Sequence, residues 1–117
     1  MSDSIFSKII KREIPATIRY EDDDFIVIDD IHPAAPVHVL IIPKKPYESL
    51  EAVDLDDAVF HAKLLQTARQ VAKDLCIADN YKLFMNVGKE VQDILHLHLH
   101  LMGGYEGGKG HFNFNEN

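Results

Sequence analysis

The segment Ile94-Leu95-His96-Leu97-His98-Leu99-His100-Leu101-Met102 alternates leucine with histidine, and this alternation limits how the stretch can fold. A strand has a period of two, so Leu95, Leu97, Leu99 and Leu101 share one face while His96, His98 and His100 share the other. Successive histidines then stand about 6.6 Å apart along that face. The leucine face belongs in a core. Three imidazoles in line on the other face need their own explanation.

The rest of the chain supplies partners for such a strand. Residues 4–10 place Ile5, Phe6, Ile9 and Ile10 on one helical face, with Asp3 as cap and Pro15 as stop. Strands are predicted over 17–20 and 25–29, joined by a hairpin turn through Glu21-Asp22-Asp23-Asp24. That acidic run lacks the further ligand spacing of a calcium loop and reads as a solvated turn. Pro33 and Pro36 keep residues 31–36 out of a helix. Residues 37–42 read as a strand, with Val37, Val39 and Ile41 facing one way and His38, Leu40 and Ile42 the other. Pro43 and Pro46 close it. A long helix is predicted over 55–75, capped by Asp54, with a buried stripe of Leu55, Ala58, Val59, Ala62, Leu65, Ala68, Val71, Ala72 and Leu75. His61 falls near a flank of this helix, and Cys76 at its end reads as a small buried hydrophobe. Strands over 81–87 and 94–102 complete the set. Five strands with one long and one short helix predict an α+β fold with an antiparallel sheet.

Composition narrows the function. A chain of 117 residues favours one domain, here 1–117 with a glycine-rich tail over 103–117. Twelve basic residues against nineteen acidic ones give a formal charge of −7, which argues against nucleic acid or an anionic membrane as partner. A small phosphate-bearing ligand needs only a local site. The single Cys76 forms no internal disulfide and is simplest in a reducing compartment. No run approaches the ~18 apolar residues of a membrane span, and the N-terminus has no signal-peptide core, so a cytoplasmic location is expected.

Three readings of the histidines stand open on the residues alone. They could be polar residues of a wet sheet face, where Thr, Lys or Glu is the commoner choice. Two histidines at i and i+2 can bind one zinc, with His38 or His111 to complete the set, although no carboxylate or thiolate pattern supports it. A neutral imidazole can also attack phosphorus and form a phospho-histidine. Flanking histidines, when protonated, would then bind the phosphate oxygens.

The run His96 to Met102 matches, position by position, the His-φ-His-φ-His-φ-φ signature (φ apolar) and so resembles the histidine triad, or HIT, superfamily. Ile5-Phe6-Ser7-Lys8-Ile9-Ile10, Glu13-Ile14-Pro15-Ala16, Tyr20-Glu21-Asp22-Asp23, Asp30-Ile31-His32-Pro33-Ala34-Ala35-Pro36, Val37-His38 through Pro43-Lys44-Lys45, and Gly103-Gly104 are similar to its Hint branch. The resemblance implies a nucleotide-binding hydrolase. It would cleave the phosphorus–nitrogen or acyl-phosphate bond of purine nucleoside 5′-monophosphate (AMP or GMP) conjugates through a nucleotidyl-histidine. It implies His98 as nucleophile, His100 and His38 beside the phosphate, and His96 as mainly structural. Asp30 would bind the ribose, Ile31 would pack the base, and Asn86, Gln92 and Asp93 would line the nucleotide site. The resemblance further implies a homodimer with the sheet extended across it. The alternatives are a Fhit-like dinucleoside polyphosphate hydrolase and a weakly active nucleotide-binding scaffold dimer.

Three departures matter. Where the family usually reads Gly-Gln-Ser or Gly-Gln-Thr, this chain reads Val91-Gln92-Asp93, and the loop from Asn86 to His96 is one residue shorter. At an effective dielectric near 20, an ionised carboxylate ~5 Å from a phosphate oxygen slows the chemistry about a hundredfold. Alternatively, a protonated Asp93 would donate to the leaving amine. Some relatives carry a zinc-binding Cys-x-x-Cys near the N-terminus; here Ser4 and Ser7 hold those positions, so neither metal nor cofactor is expected. The tail superficially fits a phosphate-loop pattern from Gly103 to Lys109, but Gly110 stands where Ser or Thr is required. It is either a flexible terminus or an arm whose His111, Phe112 or Phe114 reaches the partner's pocket.

Overall fold

The computed structural model describes residues 4–105. Asp3 and the tail residues His111, Phe112 and Phe114 lie outside them. The elements are α1 (Ile5–Ile10), β1 (Ile18–Glu21), β2 (Phe25–Asp29), β3 (Val37–Pro43), a 3-10 turn (Leu50–Ala52), α2 (Ala58–Asp74), β4 (Tyr81–Phe84) and β5 (Leu99–Gly103). The strands form one antiparallel sheet in the order β1-β2-β3-β5-β4, the α+β architecture expected.

Alternation along β2, β3 and β5 divides the core into two layers. Phe25, Val27, Val39, Ile41, Leu99 and Leu101 pack on one face against Leu64, Ala68, Val71 and Ala72 of α2. Ile26, Ile28, Leu40 and Ile42 pack on the other against Phe6 and Ile9 of α1. The central strands are therefore buried on both faces.

Several local expectations are corrected. The described cap of α1 is Ser4, whose side chain accepts from the Ser7 amide. Helix α2 starts later than predicted, because Asp57 caps it by accepting from the Phe60 amide while Asp54 closes a turn on the Asp56 amide. Leu55, Ala58, Val59, Ala62 and Leu65 are exposed, and the buried face is Leu64, Thr67, Ala68, Val71 and Ala72. The predicted stripe had merged two apolar faces on opposite sides of α2. Glu21 belongs to β1, and the acidic turn is a hub of ion pairs. Glu21 meets Arg12 and Lys44, and Asp24 meets Lys63. The bonds from Lys44 and then Arg12 hold the Glu21 carboxyl below its usual range.

Cys76 is exposed and takes a left-handed conformation (φ 61°) just past the end of α2. The Ile77 amide reaches back to the Ala72 carbonyl at 2.9 Å and the Cys76 amide to Lys73 at 3.1 Å, a helix-ending pattern that prefers glycine at this position. Cys76→Gly is expected to stabilise the fold by about 1 kcal/mol, read as a higher urea midpoint; a lower midpoint would contradict the strain argument.

β4 ends at Phe84 and β5 begins only at Leu99, both shorter than predicted. Beyond the Ile41–Leu99 pair the ladder stops, because the Leu97 amide goes to the Tyr47 carbonyl and the Pro43 carbonyl is taken by the ring of His96. Leu95, expected in the core, is 41% exposed, whereas all three histidines are buried. Among the described residues, no helix is long and apolar enough to cross a membrane.

Candidate active site

His96 and His98 lie just before β5, His96 at a bend, and each has its ring nitrogens assigned by neighbours. His98 Nδ1 stands 2.8 Å from the His96 carbonyl oxygen. A carbonyl only accepts, so Nδ1 carries the proton and the Nε2 lone pair is left for chemistry. Phe6 meets this ring edge-on at 5.0 Å. His96 donates through Nε2 to the Pro43 carbonyl at 2.8 Å, and its Nδ1 faces the Ser4 hydroxyl at 3.2 Å. Both of its nitrogens are thus engaged inside the fold, and burial lowers its pKa.

A second chain of bonds fixes His38 and His100. Leu40 lies opposite His100 in the β3–β5 register, so His38, two residues away on the same face, reaches it diagonally. The Ala34 amide donates to His38 Nδ1 at 3.0 Å. His38 therefore carries its proton on Nε2 and donates to His100 Nδ1 at 2.9 Å, which leaves His100 with an outward Nε2–H. Burial, then the neighbouring His98 and His38, lower the His100 pKa to about 4. His100 thus presents a neutral N–H donor, where the sequence suggested a protonated one. Phe84, opposite His100 across β4 and β5, stacks on its ring at 4.4 Å and 4°.

The fold brings Asp30 to the same cluster, with one carboxylate oxygen 3.4 Å from His38 Nε2 and the other accepting from the His32 amide at 2.8 Å. Ile31, next in the chain, is 81% exposed. Asn86 is half-buried two residues beyond β4. Gln92 is turned inward: its Oε1 accepts from the Gly88 amide, and its Nε2 donates to the Glu48 and Ile94 carbonyls. That side chain braces the loop. Asp93 is exposed and makes no hydrogen bond or ion pair among the described residues.

Asp30, His38 and His100 offer ligand atoms within 4.8 Å of one another. These residues do not suit a metal, because an ion would need the His38 Nε2 lone pair. The Ala34 amide occupies Nδ1 and obliges Nε2 to carry the proton.

The Ala34 amide, the Ser4 hydroxyl and Phe84 were not singled out for these roles by sequence reasoning. Ser4 carries a cap signal, an apolar helix beginning directly after it. The other two depend on strand register.

Residues 11–107 match the family model for the HIT domain. The chain belongs to the HIT domain family. It is 53% identical over 103 residues to an uncharacterized HIT-like protein of Synechocystis, covering 87% of this chain and 90% of that one. A HIT family hydrolase from Clostridium thermocellum superposes with a TM-score of 0.84 at 44% identity, over 96% of this chain and 99% of its own. A hypothetical histidine triad nucleotide-binding protein from Sulfolobus tokodaii superposes with a TM-score of 0.73 at 33% identity, over 88% and 70%. His96, His98 and His100 are the histidines of the HIT motif in this chain.

Proposed function

We propose that this HIT protein is a Hint-like hydrolase of purine nucleoside 5′-monophosphate conjugates with an amine or acyl leaving group. The observation that carries the reading is the 2.8 Å bond from His98 Nδ1 to the His96 carbonyl, which in the neutral ring leaves the Nε2 lone pair as the nucleophile. Nε2 attacks the α-phosphorus, and the bond to the leaving group breaks with its electron pair, which takes up a proton from water. The Nδ1–H bond to the His96 carbonyl stabilises the positive charge the ring acquires. Water then adds to phosphorus, the nucleoside monophosphate departs, and the imidazole returns to its starting state. His100 Nε2–H donates to a phosphate oxygen throughout. Asp30 binds the ribose, exposed Ile31 packs the base, and Asn86 lies beside phosphate and sugar. Similarity to a HIT family hydrolase and to a hypothetical histidine triad nucleotide-binding protein supports the same reading.

The test is AMP release from adenosine 5′-phosphoramidate with a chelator present, beside a dinucleoside polyphosphate under the same conditions. Turnover of the phosphoramidate supports the reading. Preference for the dinucleotide, or binding of AMP without turnover, would replace it.

Asp93 tunes this site less than its charge alone suggests. Because it is exposed, the dielectric between it and a bound phosphate approaches that of water, and the repulsion shrinks about fourfold from its value at a dielectric near 20. Asp93→Ser is expected to raise kcat/KM a few-fold, well short of a hundredfold; an unchanged or lower value would remove repulsion from the account.

The homodimer is likewise part of the proposal. Val59 and Leu65, 77% and 53% exposed, share a face of α2 with Ala62, and β4 is the last strand in the sheet order. Leu65→Glu is expected to shift the protein from dimer to monomer in sedimentation. A wild type that sediments as a monomer would refute the proposed dimer.

A further inference from the structure

We infer that Phe84 is a positioning residue for His100: its ring, stacked flat on the imidazole, holds the plane in which Nδ1 can meet His38 and Nε2 can face the site. The inference rests on the reading of the histidine cluster as a phosphoryl-transfer site. The torsion that turns an imidazole about its Cβ–Cγ bond is broad and roughly two-fold, so local rotamer preference alone does not fix the ring plane, while the His38 donor chooses between the two half-turn orientations that share it. A tilt of the His100 plane would lengthen the bond from the His38 Nε2–H to Nδ1 and turn the outward donor away from the phosphate.

The neighbours restrain the ring unequally. His38 and His98 meet it tilted, at 45° and 57°. Phe84 lies parallel to it within 4° and stacks on one face. The two are direct cross-strand partners, so the stack is built into the register of β4 and β5. The titratable groups that reach His100 are His98 on its own segment, His38 on β3 and Asp30 beyond β2. From β4 it meets an apolar ring, which keeps water off that face and disfavours a second proton on Nδ1, where the His38 donor already points.

An aliphatic side chain would fill the volume without imposing a plane. Phe84→Leu therefore separates packing from positioning, and Phe84→Tyr restores the flat ring. The readout is nitrogen–proton correlation NMR on histidine-labelled protein without substrate, following the His100 tautomer and its titration. Wild type and Phe84→Tyr should keep the Nε2–H form and titrate near pH 4. Phe84→Leu should populate both tautomers and titrate about one unit higher. With phosphoramidate, Phe84→Leu should lose about tenfold in kcat with little change in KM, and its acid limb should move up.

If His100 in Phe84→Leu keeps the wild-type tautomer and midpoint, Phe84 only packs and the inference is overturned, whatever happens to the rate. It is also overturned if Phe84→Tyr behaves like Phe84→Leu. If the NMR result is as expected while wild type shows no phosphoramidase turnover, the proposed substrate fails and the positioning role stands.

Discussion

His98→Ala is expected to reduce AMP release from adenosine 5′-phosphoramidate by on the order of 10⁴-fold or more, while AMP still binds. The size follows from losing the covalent route altogether. Without the imidazole, water must attack phosphorus directly, in a site whose other donors are arranged for a different nucleophile. Binding survives because the proposed contacts of the nucleoside, Asp30 and Ile31, lie on the loop after β2 and not on His98. The variant should fold, since the Nδ1 bond it loses is a local one, accepted by a backbone carbonyl two residues away. Steady-state rates and calorimetric AMP affinity, measured on both proteins, check the claim. Turnover within tenfold of wild type would mean that His98 is not the nucleophile.

Acidification should unfold this protein earlier than its carboxylates alone dictate. Burial lowers the pKa of His100 to about 4 and moves His38 and His96 in the same direction. Between about pH 6.5 and about pH 4 the unfolded chain therefore binds more protons than the folded one, and stability falls as pH falls. It is fully present above the unfolded value. For His100 alone the loss across that window is about 3 kcal/mol, a large share of the 5–15 kcal/mol typical of a domain. Glu21, whose carboxyl is held below its usual range by Lys44 and Arg12, adds its own loss only at lower pH. Urea midpoints at pH 7.5, 6 and 5 isolate the histidine contribution, and His100→Asn should flatten the slope. A midpoint that does not move between pH 7.5 and pH 5 would show that these imidazoles are not held neutral by the fold.

Some of this was legible in the chain and some was not. Period-two alternation put Leu99 and Leu101 on one face of β5 and His100 on the other, and proline placement and apolar runs marked the other strands, because these signals are local. The HIT motif identified His96, His98 and His100 as a set. Sequence alone did not tell which of two apolar faces α2 would bury, since Leu64 and Leu65 are equally hydrophobic and only the sheet beneath the helix distinguishes them. It did not predict that β5 would start at Leu99, which depends on where the Tyr47 and Pro43 carbonyls find their partners. Above all, which nitrogen of each histidine carries the proton is absent from the sequence. The Ala34 amide, the His96 carbonyl, the Ser4 hydroxyl and the flat face of Phe84 are brought to those rings by strand register and loop closure. An imidazole's tautomer is set by what its other nitrogen meets, and that is decided only in three dimensions.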